Sequence, residues 1–287
     1  MQDSLARVAD AVQAELDHAI DALPQGELAD AMRYAVKGGK RLRAFLVMES
    51  ARLHGVPDQA ALPVAAAIEA LHAYSLVHDD LPAMDDDDLR RGQPTVHVRW
   101  SEATAILAGD ALQTLAFQLL TDDRIGTAEA RLRLVAGLSR AAGAEGMVWG
   151  QALDIAAETA GTPLDLDQVK QLQGGKTGAL IRFAGIAGPL IAGGDPTNLD
   201  QYADAIGLAF QIADDILDVT GDEVATGKRV GKDAGAGKAT FVSLMGLEGA
   251  RAEAERLVAV STEALRDYGA AAGNLRQLAR FVIERDT

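Results

Sequence analysis

Apolar positions recur along this chain with the period of an α-helix, and short turn signals interrupt the recurrence. One such run is AAIEALHAYSLVHDD, residues 66 to 80. Another is GLAFQIADDILDVTGD, residues 207 to 222, with Leu208, Phe210, Ile212, Ile216, Leu217 and Val219 as apolar positions and Gly221 as its stop. The breaks fall at Leu23-Pro24-Gln25-Gly26, Lys37-Gly38-Gly39, His54-Gly55-Val56-Pro57, Thr121-Asp122-Asp123, Gly161-Thr162-Pro163 and Gly193-Gly194-Asp195-Pro196. No run alternates apolar and polar residues up to a hairpin turn, and no Ser-, Gly- or Pro-rich stretch is long enough to separate domains. The pattern predicts an all-α chain with one domain over 1–287. Its N-terminus, MQDSLARVADAVQAELDHAI, reads as an ordinary amphipathic helix rather than a signal peptide.

Composition narrows the class. Hydrophobic residues make up 48% and aromatics only 4%, which favours helix over strand. Lys+Arg 27 against Asp+Glu 42 gives 27 − 42 = −15, a balance that opposes non-specific attraction to nucleic acid or anionic lipid. Without cysteine there can be no disulfide, Cys-ligated zinc, iron–sulfur cluster or thiol nucleophile, which fits a cytoplasmic setting. The stretch ALIRFAGIAGPLIAGG is too short for a membrane-spanning helix and holds Arg182 and Pro189, so no integral membrane segment is expected.

Candidate chemistry lies at the ends of the two apolar runs. Six aspartates stand between His78 and Asp88, and Arg90 and Arg91 follow. Pro82 cannot continue a helical ladder, so Asp79 and Asp80 close one segment and Asp85 lies beyond a kink. At about 100° per residue His72 shares the face of Asp79, and Ser75 lies one turn below it, as at a cavity with a charged mouth. In the second run Asp214 and Asp218 are one turn apart, a like-charge pair that a cation would relieve. Carboxylate clusters select hard cations. Mg²⁺, which usually takes one or two carboxylates plus phosphate oxygens, suits sparse clusters better than calcium does, and residues 79 to 88 lack the Gly and Glu of an EF-hand loop. Read alone, Asp85 to Asp88 is also a solvated acidic turn.

Cations accompany these carboxylates: Lys40 and Arg43 in GGKRLRAF, Lys176 in GGKTG, Lys228 and Lys238 in GKRVGKDAGAGKATF. Glycines beside a lysine let backbone amides approach an anion closely. None of these stretches has the spacing of a nucleotide-binding P-loop. Each alone reads as an exposed turn; together with the aspartates they suggest one diphosphate held through Mg²⁺ and another held by Lys and Arg. His72 and His78, about 240° apart, do not make a two-His metal face, and His78 reads as structural.

These residues resemble a known family, the short-chain trans-prenyltransferases, or polyprenyl synthetases. DDLPAMD has the form of the family's first aspartate-rich motif and DDILD that of its second. The likeness runs in order through GGKRLR, YSLVHDDLPAMDDDDLRRGQPTVH, GQALDI, GGKTG, FQIADDILD and GKRVGKDAGAGKATF, nearly the whole chain, and is strongest to bacterial members that stop at C15. It implies an isoprenoid synthase-type helical bundle around a deep central cavity, a homodimer, and Mg²⁺-dependent head-to-tail condensation of an allylic diphosphate with isopentenyl diphosphate. By position, Asp79, Asp80, Asp85 and Asp214 would hold three Mg²⁺ ions on the allylic diphosphate, aided by Arg90, Lys176 and Lys238. Lys40, Arg43, His72 and Arg91 would hold isopentenyl diphosphate. Thr177 and Gln211 would lie near the reacting carbons, and Lys228 would approach as a C-terminal loop closes. Val242 stands where many relatives carry proline.

The same resemblance makes Tyr74, with Ser75 beside it, the floor that sets a C15 product, farnesyl diphosphate; Tyr74 as plain core packing is the blander reading. A geranylgeranyl diphosphate synthase would share every metal and phosphate ligand. A terpene cyclase would not need the second-diphosphate residues Lys40, Arg43 and Arg91. A regulatory helical subunit would leave the clustered cations unexplained.

Overall fold

The computed structural model describes residues 1–158, 162–220 and 239–284. The chain forms two compact units, Met1–Ala136 with Ala187–Gly194, and Gly137–Ile186 with Asp195–Thr287. Both are helical.

The first unit opens with α1 (Gln2–Asp21), α2 (Glu27–Ala35), α3 (Leu42–Leu53) and α4 (Asp58–Asp79). Along α1 the buried apolar positions are Val8, Val12, Leu16 and Ile20, one every four residues, so a single apolar stripe goes inward. Each such aliphatic side chain contributes about 1.5–3 kcal/mol when fully buried. By length and composition α4 could cross a membrane, but 72% of its apolar window is buried inside the protein. It is the core helix of this unit, packed against α1 and α3. Its many alanines let those neighbours come close.

Beyond α4 the chain makes a minimal antiparallel hairpin, β1 (Leu89–Arg90) with β2 (Gln93–Pro94), Leu89 opposite Pro94. No alternation foretold it, because two residues per strand are too few to show a period. Then come α5 (Val96–Arg99), α6 (Glu102–Leu119) and α7 (Ala128–Ala142), of which the part to Ala136 belongs to this unit. Ser101 caps α6 by accepting from the Thr104 N–H. α6 lies along α4, closest at Gly109, where a Cβ would overlap the His78 ring.

The second unit holds α8 (Met147–Glu158), α9 (Leu166–Gln173), a π-helical turn at Gly174–Gly178, α10 (Ala179–Ala192) as far as Ile186, α11 (Thr197–Thr220), α12 (Phe241–Ala264) and α13 (Gly273–Glu284). α11 is its axis, flanked by α12 and α13, and the buried Tyr202 hydroxyl donates to the Leu275 carbonyl at 2.9 Å. Asp165 and Gln168 form a capping box on α9, as Thr240 and Ser243 do on α12. Val242 falls in the first turn of α12, where the backbone N–H has no intrahelical partner, so valine and proline suit the position alike.

Candidate active site

In the first unit α4 stops at Asp79, and the chain turns back on itself. The Asp85 N–H donates to the Asp79 carbonyl at 2.8 Å and the Asp86 N–H to the Leu81 carbonyl at 3.2 Å, with Asp86 in the left-handed region at φ 50°. The turn containing Pro82 therefore returns Asp85 to the helix end, which is the purpose of the six-residue spacing.

Asp79 is half-buried and Asp85 exposed. Asp80 is different. It is 3% exposed, and the Arg90 Nε donates to its two oxygens at 2.7 and 2.9 Å. Burial raises its pKa; the Arg90 hydrogen bond opposes that rise, and Asp87 and Asp85 add to it. The family resemblance implies metal for Asp80 and diphosphate for Arg90. In the structure each is the other's partner.

The cations of this unit gather around His72. Burial holds the imidazole well below its usual pKa, and the guanidiniums of Arg43, Arg91, Arg90 and Arg41 lower it further, so it is neutral at pH 7. Arg43 is half-buried in the first turn of α3, and Lys40 is exposed just before it. Arg91 takes a left-handed backbone at φ 53° and donates to the Lys37 carbonyl at 3.3 Å. Its guanidinium lies against Gly39, where a Cβ would sit 2.9 Å away, so a side chain there would have to push the guanidinium aside and take a left-handed backbone at φ 91°. A cavity of about 360 Å³ opens here, lined by Lys37, Gly38, Gly39, Asp80, Arg90 and Arg91 and by apolar Ala73, Leu76 and Val77.

Below Asp79, Tyr74 is 6% exposed and meets His78 edge to face, ring centroids 5.4 Å apart at 89°. His78 is fixed in turn by its Nε2, 3.1 Å from the Ile106 carbonyl on α6. The Ser75 hydroxyl donates to the His72 carbonyl at 2.9 Å and is thus turned onto its own helix.

The second unit collects Lys176, Thr177 and Gln211. The π-helical turn widens the backbone at Gly174–Gly178 and carries Lys176 and Thr177. Gly150 of α8 packs on it so closely that a Cβ would lie 2.0 Å from the Lys176 nitrogen. Lys176 Nζ reaches Asp154 Oδ2 at 2.5 Å, and the Thr177 hydroxyl donates to Gln211 Oε1 at 3.4 Å. The Gln211 amide has a fixed sense: its Nε2 donates to Asp215 Oδ1 at 3.0 Å, and a carboxylate can only accept, so Oε1 faces Thr177. The other oxygen of Asp215 accepts from the Phe241 N–H at 2.8 Å, at the start of α12. Asp214 and Asp218, on α11, are half-buried. Lys228 and Lys238 lie outside the described residues.

Asp154, Asp215 and Gln151 had no assigned role in the sequence reading. Gln211 and Asp215 are an i, i+4 pair on a predicted helix, so that contact was open to discovery. Both polar atoms of the Gln151 amide are buried and have no hydrogen-bond partner, which nothing in the pattern of α8 announces. Among the described residues no three Asp, Glu or His side chains converge as a closed metal cage. Mg²⁺ does not require one, since phosphate oxygens and water complete its shell, and the returned pair Asp79 and Asp85 has the hard oxygen donors it takes.

All of these side chains fall within residues 25–272, the span matched by the model of the polyprenyl synthetase family, and the chain belongs to that family. Its curated relatives include the farnesyl diphosphate synthase of Escherichia coli strain K12, 48% identical over 269 residues that cover 90% of this chain and 89% of the relative. That of Geobacillus stearothermophilus is 44% identical, covering 96% and 95%. Among solved structures, an FPP/GFPP synthase from Zymomonas mobilis superposes with a TM-score of 0.89 at 44% identity over 98% of both chains. A geranylgeranyl pyrophosphate synthetase from Pyrococcus horikoshii Ot3 gives 0.88 at 31% identity over 99% of both.

Proposed function

We propose that this chain joins isopentenyl diphosphate head to tail to dimethylallyl or geranyl diphosphate, with farnesyl diphosphate as its product. The observation that carries the reading is the cationic collar of Arg43, Arg90 and Arg91 around a neutral His72, in the same unit as the Asp79–Asp85 turn. A metal-binding or regulatory helical module needs no such collar, and a terpene cyclase needs no second diphosphate site. The curated farnesyl diphosphate synthases above support the substrate class.

Lys40, Arg43, His72 and Arg91 bind isopentenyl diphosphate, with His72 offering a neutral N–H beside the guanidiniums. Asp79 and Asp85 in the first unit and Asp214 in the second are the residues to hold Mg²⁺, three ions in all. Bound there, Mg²⁺ supplies charge neutralisation for the departing diphosphate. Asp80 keeps Arg90 extended, and Asp154 does the same for Lys176, so both cations are presented without first being gathered from solvent. The allylic C–O bond breaks with its electron pair going to the diphosphate. Oxygens of Thr177 and Gln211 face the cation left behind, and Asp215 fixes which end of the Gln211 amide it meets. The isopentenyl double bond then forms the new C–C bond, and the proton lost from the adjacent carbon goes to the released diphosphate. Lys228 and Lys238 are further ligands of the diphosphate. Apolar lining excludes water, which would otherwise quench the cation.

Tyr74, buried and braced by His78, supports a C15 stop. The likeness to a geranylgeranyl pyrophosphate synthetase makes C20 the second reading. The protein acts in the cytoplasm as a homodimer, and the exposed, adjacent Ile106 and Leu107 of α6 support the pairing. Labelled isopentenyl diphosphate incubated with geranyl diphosphate and Mg²⁺, with a chelator control, tests the reading: a C15 product that disappears with chelator is expected. Absence of any condensation product refutes the activity, and a C20 product refutes the chain length.

A further inference from the structure

We propose that Arg41 and Glu69, which take no part in the chemistry itself, form a buried latch that holds the isopentenyl diphosphate ligands Lys40, Arg43 and His72 in one arrangement. The inference rests on the function proposed above for those three residues. It concerns positioning residues, which act through others.

Arg41 is the middle base of GGKRLR and behaves unlike its neighbours. Lys40 is exposed, whereas Arg41 is 5% exposed. Its backbone at the N-cap of α3 is left-handed, φ 51° and ψ 32°, a conformation that costs any residue with a Cβ and persists only where its surroundings enforce it. That turn sends Lys40 outward while the next residues begin the helix that carries Arg43.

The enforcing contacts all point inward. Nη1 of Arg41 donates to Glu69 Oε2 at 3.2 Å, and Nη2 donates to Gln13 Oε1 at 2.7 Å and to the Val36 carbonyl. Glu69, also 5% exposed, uses its other oxygen to accept from the Ala44 N–H at 3.0 Å, in the first turn of α3. Glu69 stands on α4 one turn before His72. One carboxylate therefore ties the start of α3, with Lys40 and Arg43 on either side, to the helix that presents His72.

A buried ion pair is a weak source of stability, because removing two charges from water offsets most of their attraction, and apolar residues of like size often do as well. What such residues cannot supply is a guanidinium fork and a two-oxygen acceptor that meet in one geometry. The pair therefore contributes arrangement more than stability, and the two can be separated by experiment.

The test compares Arg41→Met, Glu69→Leu, the double variant R41M/E69L and Gln13→Leu with the wild type. For each, Tm, the calorimetric Kd for isopentenyl diphosphate, both substrate KM values and kcat are measured. Each single charge removal should lower Tm and raise the Kd and KM for isopentenyl diphosphate about tenfold, while the KM for geranyl diphosphate stays within about twofold. The double variant should regain the lost Tm and keep the weakened isopentenyl diphosphate binding, and Gln13→Leu should weaken it about twofold. Should the single variants fail to fold, the double variant and Gln13→Leu decide alone. The latch is overturned if isopentenyl diphosphate affinity returns with Tm in the double variant, if that variant is no more stable than the singles, or if both KM values move together. A wild type that neither binds nor condenses isopentenyl diphosphate defeats the function itself and the latch with it. A wild type that does both, with unchanged variants, defeats the latch alone.

Discussion

Asp80 and Asp215 hold the same place in the two aspartate motifs, second of an adjacent pair, and both are buried, at 3% and 5% exposure. Neighbouring helical positions point about 100° apart, so an Asp-Asp pair does not send both carboxylates the same way. In each unit the second carboxylate is turned into the protein, while the first, Asp79 or Asp214, is only half-buried. The partners differ. Asp80 takes a charged fork from Arg90, and Asp215 accepts from the Gln211 amide and the Phe241 N–H. The first arrangement organises cations; the second orients a dipole and fastens the start of α12. On the function proposed above, the second carboxylate of one motif would serve a cation facing the leaving group, and that of the other would serve the dipole facing the carbon that loses it.

The comparison can be broken most sharply at Asp215. In Asp215→Asn the new amide cannot accept from both Gln211 and Phe241 without offering its own N–H to one of them, so the Gln211 amide loses its fixed sense. A fall in kcat of about 100-fold is expected, as for the loss of one preorganised dipole, with the KM for isopentenyl diphosphate unchanged. Steady-state kinetics that show the reverse, a raised KM with kcat intact, would place Asp215 on the substrate-binding side.

Next in size is a change of product. Tyr74→Ala removes a side chain braced by His78 and leaves a void beneath Asp79, so a substantial share of C20 diphosphate should join the C15 product on chromatography, at a stability cost of about 3 kcal/mol. A wild-type product pattern in the folded variant would make Tyr74 core packing only.

The smallest effect belongs to pH. Burial and then Arg43, Arg91, Arg90 and Arg41 keep His72 neutral in the folded chain, while the unfolded chain takes up that proton below about pH 6.5. The contribution of His72 is therefore complete above that pH and is lost progressively as pH falls toward its lowered folded value. His72→Gln should flatten the Tm profile between pH 6.5 and 5 by a few degrees. An equal slope in both proteins would mean that His72 is not the group responsible.

Much of this was legible in the sequence, because helical periodicity and the Asp79–Asp80–Asp85 and Asp214–Asp215–Asp218 spacings are local properties. The hairpin at Leu89–Pro94 was not, since its strands are shorter than any repeat. GGKTG, read as a turn, is a π-helical widening that keeps Lys176 and Thr177 in helical register between α9 and α10; its glycines signal close approach by α8 rather than a break. The division of labour within each Asp-Asp pair was hidden for another reason. It depends on Arg90, on Gln211 and on the backbone of Phe241, and only the packed chain shows which carboxylate they meet. Arg41 was hidden likewise: by type it matches Lys40 and Arg43, and burial alone separates it from them.

The most direct test of the divided motif is a Mg²⁺ titration of condensation activity in Asp79→Asn and Asp80→Asn. If Asp79 holds the metal and Asp80 holds Arg90, Asp79→Asn should raise the Mg²⁺ concentration for half-maximal rate about tenfold or more, whereas Asp80→Asn should lower the rate and leave that midpoint near the wild-type value. A midpoint displaced as far by Asp80→Asn as by Asp79→Asn would contradict the account.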